Sequence, residues 1–310
     1  MTDLPASMPA PSSSEAAGSA PSGAGASRFK GAGNYLALIP FHLYVGLFLI
    51  LPTLYVVIGA FSDGSGQFTL ENIRLMFTKP EFTDAFVKSL QLASVTALMG
   101  AVFGGLLAWA VVRGDPNGLL RQLVIAASGV LAQFGGVMLA FAFLSTFGFN
   151  GLITLFLKNN LGIKDLDMSW LYSMNGLAVV YTYFQIPLML IVFLPSLDGL
   201  RQEWYDASAS LGGGAWSFWR NVGGPILAPS FLGALLLLFT NAFSAYATAQ
   251  ALISQGCVIV TQQIACQMSS EVVLGQENVG KALALGMIVI VSAVMIVYAL
   301  IQRRASRWVK

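Results

Sequence analysis

Six stretches of this chain are long, almost wholly apolar and free of Asp, Glu, Lys and Arg: roughly 35–61, 90–112, 123–147, 175–197, 230–252 and 282–301. A helix that crosses the hydrocarbon core of a bilayer needs about 20 mostly apolar residues. A charge at mid-bilayer costs about 2.5–3.5 kcal/mol on insertion scales, so charge-free runs of that length are what a membrane demands. A transmembrane β-barrel would instead show short segments of alternating polarity. The runs are continuous, which predicts an all-α membrane protein with six transmembrane helices. Composition agrees. Hydrophobic residues make up 56% of the 310 and charged residues 10%, against about 25% charged in soluble domains. One internal core cannot hide that much apolar surface, so membrane lipid must cover part of it. The net charge of +2, with no basic patch interleaved with aromatic residues, excludes a nucleic-acid partner.

Lys and Arg set orientation. With the N-terminus in the cytoplasm, Arg28, Lys30, Arg113, Arg121, Arg201, Arg220, Arg303, Arg304, Arg307 and Lys310 fall inside. Arg74, Lys79, Lys88, Lys158, Lys164 and Lys281 fall outside. The bias and the even number of spans place both termini in the cytoplasm of a multi-pass inner-membrane protein. Residues 1–27 are rich in Ala, Ser, Pro and Gly and lack the apolar run of a packed element or a cleavable signal. They read as a disordered cytoplasmic tail ahead of a transmembrane domain over 28–310, whose first span is expected to serve as its own insertion signal. On the outer side, 68–88 reads as a surface helix broken near Pro80. Residues 150–172 and 254–281 are further outer segments. Each of the three suits either contact with a soluble partner or packing at the interface.

Between the fourth and fifth runs lies a connection at 200–229 that is far longer than a turn requires. Residues 200–211 (LRQEWYDASASL) can form a short helix that the glycines Gly212–Gly214 end. Residues 215–221 can form a second helical turn carrying Trp216, Phe218 and Trp219, large anchors of the kind enriched at interfaces. Pro225 and Pro229 are expected to stop that element before the next span. The connection resembles the EAA loop of bacterial ABC importer permeases, whose pattern is Glu-Ala-Ala, three residues, Gly, nine residues, Ile, one residue, Leu-Pro. Asp206, Ala207 and Ser208 stand at Glu-Ala-Ala, Gly212 at Gly, Val222 at Ile, Gly224 at Leu and Pro225 at Pro. The spacing is kept, and Asp, Ser and Gly depart from the pattern. The resemblance implies a type I ABC importer permease fold with a cytoplasmic coupling helix, in which Asp206 and Trp216 face an ATPase. Its partners would be ABC ATPase subunits that hold the ATP and Mg, a second and different permease subunit, and an extracytoplasmic solute-binding protein. An amphipathic helix lying on the membrane surface is the competing reading of the same residues.

Polar groups in a span must face another helix or a cavity. The fifth span carries Thr240, Asn241, Ser244, Tyr246, Thr248 and Gln250, the fourth Tyr181, Tyr183 and Gln185, and the third Gln133. Of these, Gln133, Tyr183, Gln185, Asn241, Ser244 and Tyr246 are the candidates for a solute path; hydrogen bonding between helices is the other reading for each. The runs FTNAFSAYATAQAL and GQENVGKALALGMIVIV resemble the polyamine, iron and phosphonate branch most, and a polyamine or similar small polar solute follows as an expectation. A sugar or glycerol-phosphate importer is the nearest alternative. A membrane scaffold and an ion-coupled carrier are the rivals from other classes, and carboxylates within the spans, which a proton-coupled carrier needs, are missing.

Chemistry by this chain itself finds no support. The sole histidine, His42, has no hydrolytic partners and reads as a helix-bonding residue or, less simply, a proton relay. Cys257 and Cys266 lack metal spacing, and a structural zinc needs about four ligands; they read as small apolar residues or as a disulfide on the outer face. Residues 275–282 (GQENVGKA) nearly match the phosphate-binding GxxxxGK[ST] loop, but Ala282 replaces the hydroxyl that holds Mg and no strand precedes the segment. No catalytic residue, metal or bound cofactor is expected, and energy must come from a separate ATPase.

Overall fold

The computed structural model of the protein describes residues 39–160, 168–253, 256–269 and 277–305; the tail expected over 1–27 lies outside them. Among the described residues the chain is helical apart from short connections. It divides into two compact units, Met1–Thr53 and Leu54–Lys310. Helix α1 (Ile39–Ala60) passes through that boundary. Its first part presents exposed Ile39, Phe41, Leu43, Phe48 and Leu49, the surface a bilayer covers. Residues Gly46–Ile50 form a π-turn, closed by Leu51 N–H on Gly46 O. Pro52 follows at once. The wider turn makes room for a proline ring and its missing N–H without ending the helix.

The second unit contains α2 (Glu71–Thr78), α3 (Pro80–Val112), α4 (Leu119–Gln133), α5 (Gly136–Phe147) and α6 (Leu152–Asn160). These are followed by α7 (Met174–Asp198), α8 (Gln202–Ser210), α9 (Ala215–Ser244), α10 (Ala247–Leu252), α11 (Val260–Ser269) and α12 (Glu277–Ala305). Six helical stretches among the described residues are long and apolar enough to cross a membrane.

Three expectations change shape. The helix expected at 68–88 does break near Pro80, since α2 ends at Thr78, but the part beyond the break belongs to a span. Pro80 opens α3, as proline does at the first helical position, and the 33 residues of α3 run about 50 Å at 1.5 Å each. The third span, expected unbroken over 123–147, is two helices that part at Phe134 and Gly135. Arg121 on α4 pairs with Asp198 at the end of α7 at 2.6 Å, while Phe149 after α5 stacks on Tyr172 ahead of α7, centroids 5.0 Å apart. The α4–α5 pair therefore runs the full length of α7. The fifth span is displaced. Pro225 and Pro229 do not end the loop's second helix, because Trp219–Gly223 is a π-turn, with Gly224 N–H on Trp219 O. The helix passes through both prolines, just as α1 passes Pro52, and stops instead at Ala245.

The centre of this unit is the seam between α3 and α7. Ala93, Ala97, Gly100, Ala101, Gly104 and Ala108 are buried along one face of α3. A Cβ added at Gly100 would stand 2.5 Å from Gln185 Cβ, and one at Gly104 2.5 Å from Ile186 O. Lipid supplies no hydrophobic drive between helices, so such close approach through small residues is how membrane helices gain packing energy. One apolar cluster joins Leu92, Leu139, Leu177, Tyr181, Phe243 and Ala249. A second joins Ala101, Met189, Phe193, Leu227 and Leu238.

The segment resembling a phosphate loop is settled by its helix. Glu277–Lys281 already belongs to α12, and Lys281 is buried, with Nζ 2.9 Å from Asn278 Oδ1, 3.3 Å from the Tyr55 hydroxyl and 4.5 Å from the Tyr55 ring centroid. Residues 275 and 276 lie outside the described residues.

Gly104→Leu should lower the thermal midpoint of the detergent-solubilised protein, since overpacking costs about 1–3 kcal/mol. Gly129→Ala on α4, where nothing lies within 4 Å, should leave it unchanged or raise it. Equal melting of Gly104→Leu and wild type would refute the tight seam.

Candidate functional site

A helix interrupted inside a membrane leaves backbone groups that no water can satisfy, so such breaks survive only where protein buries them or a cavity hydrates them. Two breaks among the described residues meet. α4 ends at Gln133, and α5 starts at Gly136 with φ +67°, a conformation that suits glycine. α9 ends at Ser244, Ala245 is extended, and α10 starts at Ala247. Thr248 Oγ1 donates to Gly136 O at 3.1 Å, and a Cβ at Gly136 would touch Ala247 Cβ at 3.7 Å.

Side chains from three other places complete the joint. The Tyr181 hydroxyl on α7 donates to Ala245 O at 2.8 Å, and Thr261 Oγ1 on α11 to the same carbonyl at 3.4 Å. Gln262 Nε2 donates to Ala249 O at 3.2 Å and to Ile253 O at 2.8 Å, while its Oε1 accepts from Val258 N–H. The Ser89 hydroxyl near the start of α3 accepts from Val260 N–H at 2.9 Å. Gln263 Nε2 donates to Cys257 O at 2.8 Å, and a disulfide joins Cys257 to Cys266 across this segment.

The solute-path candidates divide around this joint. Gln133 is the last residue of α4, Asn241 and Ser244 lie on the last turn of α9, and Tyr246 is in the break itself; all four are exposed. Tyr183 on α7 is exposed as well, edge-on to Phe143 of α5 with centroids 5.6 Å apart. Gln185 departs from the group. It is fully buried and donates Nε2 to Leu238 O at 2.9 Å, while its Oε1 has no protein partner. In this chain it clamps α7 to α9 rather than facing an opening. Tyr181 and Thr248, polar residues noted in the same spans, turn out to cap the breaks. Thr261 and Gln262 were not singled out in the sequence. Their signal was an uncharged Thr-Gln-Gln run inside an outer segment, where a solvated loop would carry charge.

The long connection is a helix–turn–helix. α8 is closed by Leu211 N–H on Ala207 O and Gly213 N–H on Ser208 O, and Gly212 takes φ +80°. Asp206 is exposed and accepts from Gln202 Nε2 at 3.2 Å. Tyr205 packs edge-on to buried Phe218, centroids 5.3 Å apart, which fixes the two helices. The outward side is left bare: Leu211 is 90% and Trp216 79% exposed. Val222 lies in the π-turn and Pro225 just beyond it. Thus Asp206, Ala207, Gly212 and Trp216 share one exposed hairpin with partly covered Ser208, while Val222 and Pro225 belong to the base of α9. Among the described residues no group of three or more His, Cys, Asp or Glu could hold a metal.

No family model matches the chain. It is 27% identical over 206 residues to the sulfate transport system permease protein CysT of Salmonella typhimurium, covering 66% of this chain and 69% of that one. It is 23% identical to the ferric transport system permease protein FbpB of Actinobacillus pleuropneumoniae, over 73% of this chain and 32% of the relative. Its fold matches a chain of the bacterial alginate ABC transporter, solved in complex with an alginate pentasaccharide-bound periplasmic protein, with a TM-score of 0.68 at 14% identity over 89% of this chain and 95% of that one. The chain is an ABC importer permease subunit. The polyamine branch is not where these relatives fall; they are named for sulfate and ferric transport.

Gln262→Leu would leave the Ile253 carbonyl without its side-chain donor, while Ala249 O keeps the Ile253 N–H at 2.8 Å. An orphaned buried group costs about 1–3 kcal/mol, so the thermal midpoint in detergent should fall below wild type. An unchanged midpoint would mean that another donor serves the Ile253 carbonyl.

Proposed function

We propose that this permease forms half of a solute path beside the joined breaks of α4–α5 and α9–α10, and that the 200–229 connection couples it to a separate ATPase. The observation that carries this reading is the bare outer side of the α8–α9 hairpin, where an acidic residue, a shallow run of small residues and a fully presented tryptophan stand together. Aromatic anchors flanked by small residues are how a rigid partner groove is engaged. A membrane-surface helix would keep its apolar side continuous, whereas here Phe218 and Tyr205 turn inward onto each other.

The orientation with this hairpin in the cytoplasm draws on two features. The Lys and Arg bias favours it. The disulfide lies in the segment that packs on Ser89, at the opposite end of the spans from the hairpin, and disulfides persist in oxidising compartments. Discontinuous membrane helices at a solute site recur among transporters, and Gln133, Asn241, Ser244 and Tyr246 stand at the discontinuities. These side chains are neutral donors and acceptors with no carboxylate among them. They suit a small polar or anionic solute better than a polycation, in keeping with relatives named for sulfate transport. A second permease, two ATPase copies holding ATP and Mg, and an extracytoplasmic binding protein complete the assembly.

Affinity purification of the tagged chain with its co-expressed partners tests the coupling role. Asp206→Arg with Gly212→Trp should strip the ATPase from the complex, since losing an interface anchor costs about 2 kcal/mol, roughly thirty-fold in affinity. Gly212→Asn, which tolerates positive φ, should retain it. Full ATPase recovery and full uptake with the double variant would sink the assignment.

A further inference from the structure

The end of the molecule that carries the hairpin holds two cavities that share walls. The larger, about 510 Å³, is an apolar groove between α3, α7 and α9, floored by Gly105 and walled by Phe193, Leu227 and Phe231. The smaller, about 200 Å³, lies beyond the helix ends and is lined by Arg113, Arg201, Gln202 and Tyr205. Trp109, Leu197 and Trp219 line both, so the two adjoin. The Arg113 guanidinium stands over the Trp109 ring, 3.9 Å from its centroid, and its N–H groups can meet an oxyanion. No carboxylate lines either cavity. The nearby Asp198 is engaged by Arg121 from α4.

An apolar slot inside the spans that opens, at the membrane boundary, onto two arginines and two indoles is the shape and polarity of one amphiphile. The geometry points to a bound anionic glycerophospholipid, with an acyl chain in the groove of Gly105, Phe193 and Phe231 and its phosphate between Arg113 and Arg201. Indoles at the headgroup level are the usual membrane boundary markers, and a basic pocket between helices is the usual headgroup seat. A Cβ added at Gly105 would meet Phe231 at 3.4 Å and Met189 at 3.9 Å in ordinary contact, so the glycine lets an acyl chain lie against the helix backbone in the groove it lines. A lipid here would tie the foot of α8, through Arg201, Gln202 and Tyr205, to the ends of α3 and α7. The site requires that the chain span a bilayer and does not depend on which solute is carried.

Brominated acyl chains quench tryptophan on contact, and Trp109 and Trp219 sit in the groove wall. The full-length chain, with its co-purifying subunits, would be reconstituted in phosphatidylcholine vesicles and titrated with dibrominated phosphatidylglycerol or dibrominated phosphatidylcholine. Phosphatidylglycerol should saturate the quenching at a lower mole fraction. Arg113→Gln and Arg201→Gln should each weaken it about five-fold, and together erase the preference. Gly105→Leu, which leaves both arginines in place, should remove the phosphatidylglycerol-selective quenching by filling the slot, and Trp109→Phe with Trp219→Phe should remove that selective part while the other tryptophans still respond to both lipids. Inorganic phosphate should not compete. Identical curves for the two lipids, an unaltered preference in the double arginine variant, or full competition by phosphate would overturn the proposal. So would the absence of quenching in the assembled complex, which would mean a partner helix fills the groove.

Discussion

Inside a bilayer a backbone carbonyl that loses its helical partner has no water to turn to, and the architecture around α10 follows from that one constraint. Breaking α9 at Ala245 leaves its carbonyl among packed helices, and Tyr181 from α7 and Thr261 from α11 answer it. Thr248 ties α10 to Gly136 O across the joint, and Gln262 from α11 holds the far end of α10 through Ala249 O and Ile253 O. The segment carrying Cys257 and Cys266 is therefore a structural part of the helix packing rather than only a connection between spans. Its disulfide brackets the donors that the breaks require.

The breaks can be held open because the seam beside them does not yield. Gly100 and Gly104 bring α3 so close to α7 that any added side chain meets Gln185 or the Ile186 carbonyl, and Gln185 reaches on to Leu238 of α9. Tyr181 sits one turn from Gln185 on the same helix, so the residue that caps Ala245 is positioned by the close contact of α3 with α7. Scaffold and joint are linked through α7, which contributes to both.

Much of this was legible in the apolar runs and in the spacing from Asp206 to Pro225, since both report directly on physical demands: hydrocarbon thickness and a protruding hairpin. The joint was harder to see. Gly135 and Gly136 did mark the third span, but glycine is common in membrane helices and its mark is ambiguous. Ala245 and Tyr246 carry no breaking residue at all. The chain parts there because Tyr181 and Thr261 offer donors from outside the segment, a tertiary cause with no local trace. Pro225 misled in the opposite sense. Local rules end a helix near proline, and the π-turn at Trp219–Gly223 overrides them. Gln185 looked like path lining because polarity within a span reports only that a partner exists, and here the partner is Leu238.

That override gives the coupling role proposed for the hairpin a mechanical meaning. Because α9 continues from Ala215 through both prolines to Ser244, Trp216 and the break at Ala245 belong to one rod about 45 Å long at helical rise. A stop at Pro225 would have isolated the hairpin behind a flexible joint. With the rod intact, a displacement of the docked Trp216 end has its nearest yielding points at the π-turn and at Ala245–Tyr246, where the caps from Tyr181 and Thr261 hold one arrangement. An element that both ends can bias is what coupling between distant sites requires. In the coupling reading α9 is that element, and its free end lies beside Tyr246.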